Sequence, residues 1–517
     1  MNETVKKLMD RNQFSDETKE IIEKENLLPM GLLNRLHNNY RQYSGIMDDS
    51  ELMFTTKDHY SGLKGFREIV ATLEKNGIDI GHIEERELFI KIYRFLATKH
   101  VLNTIDWYNF KDDLIFQLVF PQPGMVKPEA YKAYMAAETE EEKEKIVSDY
   151  IKSNTNPHDG KQLLNKPWYE DENDGLVVLD GSQHKYPQVH LVFDKTTQSC
   201  FSFCTYCFRH AQVRGDEDMF NQKEIQPVVD YIRQHKEITD VLFTGGDGAY
   251  LPCNRLIEYT KPFIEDEEFS HIKTIRIGSR ALTYQPELIL TKDYEKTLDW
   301  FKTLIDNGIQ VAWMAHFSTP REILNPATIA AIRRLRSYNI LVKSQSPIMN
   351  HISLYTDENG NVDIDRSAQN WIDLGNIFAM VSVGFHSMYC ARPTGEHHYF
   401  TVPLADIDKV FSKVYRSLPS INRPSRYITM TSSAGKTSIL GTVEVNGEKL
   451  FALKFNEARN MEWMDKVFLA KFDEEENTVE KLIPYEGDKH FFEEELAEIE
   501  NQKMEALSRK MEMEING

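Results

Sequence analysis

The sequence predicts an α/β protein: a full or partial (β/α) barrel at the centre, a helical region before it, and a β-hairpin and helix extension after it. Three observations carry this. Between about 186 and 390, short apolar runs alternate with amphipathic stretches, the pattern of right-handed βαβ units around a parallel sheet. Before 155, apolar residues recur at three- and four-residue spacing. After 425, Asn446-Gly447 stands between two alternating runs, a strong hairpin signal. At 517 residues the chain exceeds what one hydrophobic core organises. The expected units are 1–155 (helical), 180–425 (barrel) and 426–517 (β-rich, ending in an acidic helix).

The elements follow in order. GLLNRLHNNYRQYSGIM, GLKGFREIVATLEKNG and ERELFIKIYRFLATKHVLNTIDWY read as helices, 138–151 as a charged helix, and SNTNPHDGKQ as a boundary loop. Candidate strands are 188–194, 239–244, 272–278, 309–317, 339–346 and 377–386, separated by helical stretches such as KEIQPVVDYIRQHKE and ATIAAIRRLRSYN. In a barrel built this way, chemistry sits at the C-terminal ends of the strands. GTVEVNGEKLFALKF and KVFLAKFDEEENTVEKLIPY read as hairpins, and the tail as an amphipathic helix serving as interface or cap.

Composition narrows the function. Hydrophobic residues at 41% and charged residues at 27% are ordinary for a soluble domain. A net charge of −20, from 61 basic and 81 acidic residues, argues against a nucleic-acid partner. No apolar run approaches the roughly 18 residues that span a bilayer, and the charged N-terminus lacks a signal-peptide core. The expectation is a cytoplasmic protein with neither nucleic-acid nor membrane partners.

Five cysteines are too few for a disulfide framework, yet three fall together in Cys200-Phe-Ser-Phe-Cys204-Thr-Tyr-Cys207. Three thiolates can hold three irons of a [4Fe–4S] cluster and leave the fourth open. A zinc site using His210 as fourth ligand, or three buried free cysteines, are the other readings. Further along, polar groups stand at successive strand ends: Thr244-Gly245-Gly246-Asp247, then Arg276-Ile-Gly-Ser279-Arg280, then Ala315-His316-Phe317, then Gln345-Ser346.

The C-x3-C-x2-C spacing, with Tyr206 before the last cysteine, resembles the signature of the radical S-adenosylmethionine enzymes. The resemblance implies a radical SAM barrel, a cluster on Cys200, Cys204 and Cys207, and S-adenosylmethionine chelated by the open iron. One electron then cleaves that cofactor to a 5′-deoxyadenosyl radical. It implies Gly245, Gly246, Asp247, Ser279, His316 and Gln345 as cofactor-binding positions. Within the superfamily the chain resembles lysine 2,3-aminomutase and its relatives, over about 180–440. The residues that carry this are His184-Lys-Tyr-Pro187, Cys200 to His210, LFTGGD, RIGSR, AHF with Pro320, KSQS and Gly435-Lys436-Thr437.

That resemblance implies pyridoxal phosphate on Lys436, set in a small-residue loop with its amine pKa depressed, and Arg209 pairing with the substrate α-carboxylate. The implied reaction is an isomerase's: radical migration of an α-amino group to the β-carbon of an amino acid held as an external aldimine. A flavodoxin- or ferredoxin-type donor would supply the electron, and a homo-oligomer is compatible with the family.

Departures bear on the substrate. Lys185 replaces an arginine of the family's HRYPDR segment, and Val189 or His190 stands near the other. The family's C-terminal zinc cysteines are absent. The two aspartates that clamp a distal amine are missing; Ala391-Arg392 and Thr429 or a neighbour stand there. The expected substrate is therefore an acidic or neutral polar amino acid such as glutamate, with Arg392 facing its side chain, unless Arg392 instead pairs with Glu396. A coenzyme-independent radical enzyme and a non-catalytic zinc-binding barrel are the alternatives.

Overall fold

In the computed structural model, residues 2–43, 53–154, 164–171, 175–215, 219–392 and 395–516 are described. Most of the expected boundary loop 153–162, from 155 onward, lies outside them.

The front of the chain is helical for the reasons its sequence gives. Ser15 caps the helix Asp16–Lys24 by accepting from the Thr18 amide at 3.1 Å. A reciprocal Thr139–Glu142 capping box opens the helix Glu140–Ser153. Residues 85–108 are not one helix, as the periodicity predicts. The helix Ile83–Ile92 ends, and the chain extends as β2 (Leu96–Thr98), which pairs with β1 (His59–Ser61), before turning helical again at Lys99–Thr104. The strand wins because its backbone has partners elsewhere. The Leu96 carbonyl accepts from the Phe203 amide at 2.8 Å, and the Thr98 amide donates to Ser202 Oγ at 3.0 Å. A second ribbon joins β3 (Trp168–Asp171) to β4 (Gly175–Val178).

The centre is an eleven-stranded sheet in which neighbours in sequence are neighbours in space. Its strands are β5 (Ser182–Tyr186), β6 (Val189–Val192), β7 (Asp240–Phe243), β8 (Thr274–Ser279), β9 (Gln310–Ala315), β10 (Leu341–Ile348), β11 (Gly384–Cys390), β12 (Ile428–Thr431), β13 (Gly435–Val445), β14 (Glu448–Ala458) and β15 (Val467–Lys471). From β6 to β12 every pairing is parallel, with helices between strands through β11. The sheet ends at β5 and β15 rather than closing, so the barrel is partial. Side chains bridge the gap: the Lys185 amine on β5 donates to the Ser432 carbonyl after β12, and Lys436 on β13 lies 5.2 Å above the Tyr186 ring.

Three expectations are corrected. Residues 377–381 belong to the helix Ile364–Val381, and the strand begins at Gly384. Trp371, Leu374, Ile377, Phe378 and Val381 are all buried at helical spacing, so the apolar run ends a helix, which Ser382 stops in a left-handed conformation (φ 60°). The hairpin expected from KVFLAKFDEEENTVEKLIPY forms only its first strand, β15; the return touches it through an isolated bridge from Ala470 to Pro484, a residue without an amide to extend a ladder. Lys436 lies in strand β13, beside a register shift against β14, and not in a loop. The Asn446-Gly447 hairpin forms between β13 and β14 with positive φ at both turn residues, 52° and 80°. The tail helix Glu493–Asn516 covers it, Leu496 packing with Phe455 and Trp463 while the Trp463 indole donates to Glu495 at 2.7 Å.

Candidate active site

The three cysteines occupy the segment that leaves β6 at its C-terminal end. This loop is anchored from several directions. Buried Asp194 accepts from Arg255 Nε at 2.9 Å and Tyr259 Oη at 2.9 Å. The Thr205 amide donates to the Leu118 carbonyl at 2.9 Å, and β2 holds Ser202 and Phe203. The helical front of the chain therefore cradles the cysteine loop.

The three cysteines are half-buried. Burial pushes Cys200 well above the ordinary thiol range and Cys207 up to about 12, with the neighbouring thiols' charges adding to both. Cys204 Sγ lies 2.8 Å from Tyr284 Oη and 3.5 Å from Arg280 Nη1. Three thiolates in such surroundings are stable only beside bound positive charge, which is the chemistry of a metal cluster. A single zinc with bonds of about 2.3 Å would draw its sulfurs to within about 4 Å of one another. His210 packs edge-on against Tyr93 at 5.2 Å. Three cysteines at this spacing fit a [4Fe–4S] cluster with one iron left open. Cys253 opens a helix on the outer layer and Cys390 is buried at the end of β11.

Gly245 and Gly246 permit close approach, and what they approach is the cysteine loop. The Gly246 amide donates to the Thr197 carbonyl at 2.7 Å, and a β-carbon there would stand 2.5 Å from the Ser199 carbonyl oxygen. Gly245 has φ +146°, unfavourable for other residues. Asp247 is only 2% exposed and accepts from the amides of Ala249 (2.9 Å) and Arg280 (2.8 Å); burial raises its carboxyl to about 6 against those bonds. Ser279 is likewise buried, bonded to Asp247 and accepting from the Ala281 amide at 2.9 Å. These two brace the turn from behind.

The other strand ends converge on one space. Arg280 follows β8 and spans Cys204, Tyr284 and Glu322, the last at 3.4 Å. His316 follows β9; burial and then Arg280 and Arg209 hold its imidazole down at about 3, so it is neutral, and its ring lies 6.3 Å from Tyr389 on β11. Gln345 is half-buried on β10 beside a bulge against β11. Arg209 stacks 4.4 Å from Phe193 and 5.3 Å from Phe208, and its Nη1 is buried without a hydrogen-bond partner among the described residues. Arg392 approaches the same Phe208 ring at 5.1 Å. Arg392 makes no ion pair with Glu396, which is held instead by Tyr93 at 2.9 Å and Tyr150 at 2.8 Å.

Lys436 stands on β13, directly opposite Glu457 on β14, and the two form an ion pair. It lies over one ring, that of Tyr186, with Lys185 5.4 Å from the same ring. Burial, then Arg459 and Arg392, push the Lys185 amine well below the ordinary lysine range. Arg459 and Arg392 both act against a charge on Lys185, with Glu480 opposing them, and a bound anion such as a phosphate would balance the cationic groups. A phosphorylated aldehyde coenzyme fits this set. Sequence reasoning singled out Lys436 and Lys185 but missed Glu457, Tyr186 and Tyr284. Glu457 had a signal: counting outward from the Asn446-Gly447 turn places it opposite Lys436.

The chain is similar to lysine 2,3-aminomutase-like proteins. It is 27% identical over 271 residues to an Aquifex aeolicus protein whose name assigns it provisionally to L-lysine 2,3-aminomutase. It is 24% identical over 284 residues to the L-lysine 2,3-aminomutase of Clostridium subterminale, and 28% over 223 residues to the glutamate 2,3-aminomutase of Clostridioides difficile. These matches cover 52%, 54% and 40% of this chain and 66%, 60% and 49% of the relatives, less than two thirds of each. No protein-family model matches. The solved structure of Streptococcus suis SuiB bound to S-adenosylmethionine aligns at 15% identity with a TM-score of 0.32, over 66% of this chain and 70% of that one, too slight a likeness to carry an inference. No helix among the described residues is long and apolar enough to cross a membrane.

Proposed function

We propose that the chain is a radical S-adenosylmethionine isomerase of the aminomutase type, moving the α-amino group of an acidic or neutral polar amino acid to its β-carbon. The observation that supports this is a run of contacts from Lys436 toward the cysteine segment: Lys436 lies over Tyr186, Tyr186 acts on Arg392, and Arg392 shares the Phe208 ring with Arg209, two residues after Cys207. The names of the relatives support the reaction type, and both lysine and glutamate occur among their substrates.

When bound, a [4Fe–4S] cluster with S-adenosylmethionine supplies the hydrogen-abstracting radical, and pyridoxal phosphate supplies the conjugated system that delocalises the unpaired electron. The chain's residues hold and shield. Cys200, Cys204 and Cys207 would ligate three irons, with Arg280 and Tyr284 beside the Cys204 sulfur. The Gly245-Gly246 turn keeps the cysteine loop in register with β7, which fixes where the cofactor on the open iron must lie. Arg209 offers an unpartnered Nη1 to the substrate α-carboxylate, and Arg392, free of Glu396, offers its charge to a second carboxylate. Lys185 and Arg459 would balance the coenzyme phosphate. Neutral His316 can bond a ligand without adding charge. The front of the chain packs against the cysteine loop and restricts the access of water, which a radical needs. A flavodoxin- or ferredoxin-type protein would deliver the electron, and a reducing cytoplasm would preserve the thiols.

The test is anaerobic incubation of the reconstituted protein with S-adenosylmethionine, pyridoxal phosphate, reductant and single amino acids, with products identified by NMR. A β-amino acid formed by the native chain but not by Cys204→Ala is expected. Intact cluster and cofactor cleavage with no isomer from any acidic, polar or basic amino acid would overturn the reaction assignment.

A further inference from the structure

Away from this site, His184, His235 and Glu237 each offer a ligand atom, and the three atoms lie within 4.8 Å of one another. They come from three places: the edge strand β5, the C-cap of the helix Gln226–Gln234, and the turn that leads into β7. The surroundings hold the two imidazoles in a defined orientation. His184 Nε2 is 3.0 Å from the Pro187 carbonyl, which can only accept, so Nε2 carries the proton and Nδ1 presents its lone pair. A ring nitrogen donated to a backbone carbonyl is how metal-binding histidines are usually oriented. The Tyr231 hydroxyl lies 2.7 Å from that Nδ1, while its ring stacks on His235 at 3.9 Å, so one tyrosine aligns both histidines. The two imidazole rings stand nearly perpendicular, 80° apart with centroids at 5.8 Å. Glu237 is exposed and lies 2.9 Å from His235 Nδ1.

We infer that His184, His235 and Glu237 form a mononuclear site for a divalent transition-metal ion of the zinc class, separate from the cysteines. Two imidazoles and one carboxylate form a borderline donor set that suits zinc, cobalt or nickel and not magnesium or calcium. Binding replaces the Tyr231 hydroxyl at His184 Nδ1 with the ion and leaves the outer position to water. The ion would tie β5, and with it the neighbouring Lys185, to the end of the helix Gln226–Gln234, a positioning role.

The experiment uses the full chain, freed of metal with a chelator under anaerobic conditions and titrated with cobalt(II). Cobalt bound by nitrogen and oxygen shows visible ligand-field bands without the near-ultraviolet thiolate charge transfer that a cysteine site produces. One equivalent with the nitrogen–oxygen spectrum is expected. His235→Ala and Glu237→Gln, both outside the core, should each weaken that equivalent at least tenfold while Cys204→Ala leaves it in place. Zinc should displace the cobalt. Absence of a nitrogen–oxygen equivalent at micromolar metal, or its persistence with unchanged affinity in both variants, would overturn the site.

Discussion

Replacing Gly246 by Ala tests whether the glycine turn serves the cysteine loop. The added methyl would stand 2.5 Å from the Ser199 carbonyl oxygen and 2.7 Å from its carbon, where ordinary contact begins at 3.4 Å. Ser199 must therefore retreat by about 3.4 − 2.5 = 0.9 Å, and it is bonded to Cys200. Forced overpacking of this kind costs about 1–3 kcal/mol. The shift also strains the 2.7 Å bond from the Gly246 amide to Thr197. Gly278→Ala is the control: its methyl would meet nothing nearer than Thr244 Oγ1 at 3.4 Å. Iron and sulfide per chain after anaerobic reconstitution, together with urea denaturation of the metal-free protein, are the measurements. Gly246→Ala should lose about 1–3 kcal/mol and load well below native stoichiometry, while Gly278→Ala stays near native in both. Native loading in Gly246→Ala, or equal losses in both variants, would refute the reasoning.

Other consequences are open to measurement. Cys200→Ala, Cys204→Ala and Cys207→Ala should each abolish iron loading while Cys253→Ala and Cys390→Ala preserve it, as metal analysis would show. Borohydride reduction with pyridoxal phosphate should fix the coenzyme on Lys436, identified by peptide mapping; label confined to Lys185 would reassign the role to the buried amine. Arg392→Asp should abolish turnover of an acidic amino acid while activity on basic ones holds or rises; unchanged preference would dismiss Arg392 as a specificity residue. Burial raises the Glu396 carboxyl to about 7 from 4.5 against bonds from Tyr150 and Tyr93. Because the folded state then binds the proton more tightly than the unfolded state, stability should fall by about 3 kcal/mol as pH rises from about 4.5 to 7. Glu396→Gln should flatten that dependence, and a pH profile identical to native would count against it.

Local signals sufficed wherever the chemistry or geometry is local. The C-x3-C-x2-C spacing, the alternation that winds β6 to β11 into a parallel sheet, and the primed turn at Asn446-Gly447 each depend on residues close in sequence, so the sequence alone determined them. Counting outward from the turn reaches the Lys436–Glu457 pair only because two register shifts, one between Ile439 and Gly441 and one between Lys436 and Thr437, cancel. Only the tertiary structure decided the rest. Whether 377–381 ended a helix or began a strand rested on burial at helical spacing against the sheet, and whether 96–98 extended rested on bonds to Ser202 and Phe203 a hundred residues away. Arg392 could turn to Glu396 or to Phe208, and two tyrosines from the helical front settled that by taking the carboxylate first. His235 and Glu237 are two residues apart, but His184 joins them only because β5 packs beside the helix end that leads into β7, and packing between distant segments is what sequence periodicity cannot encode.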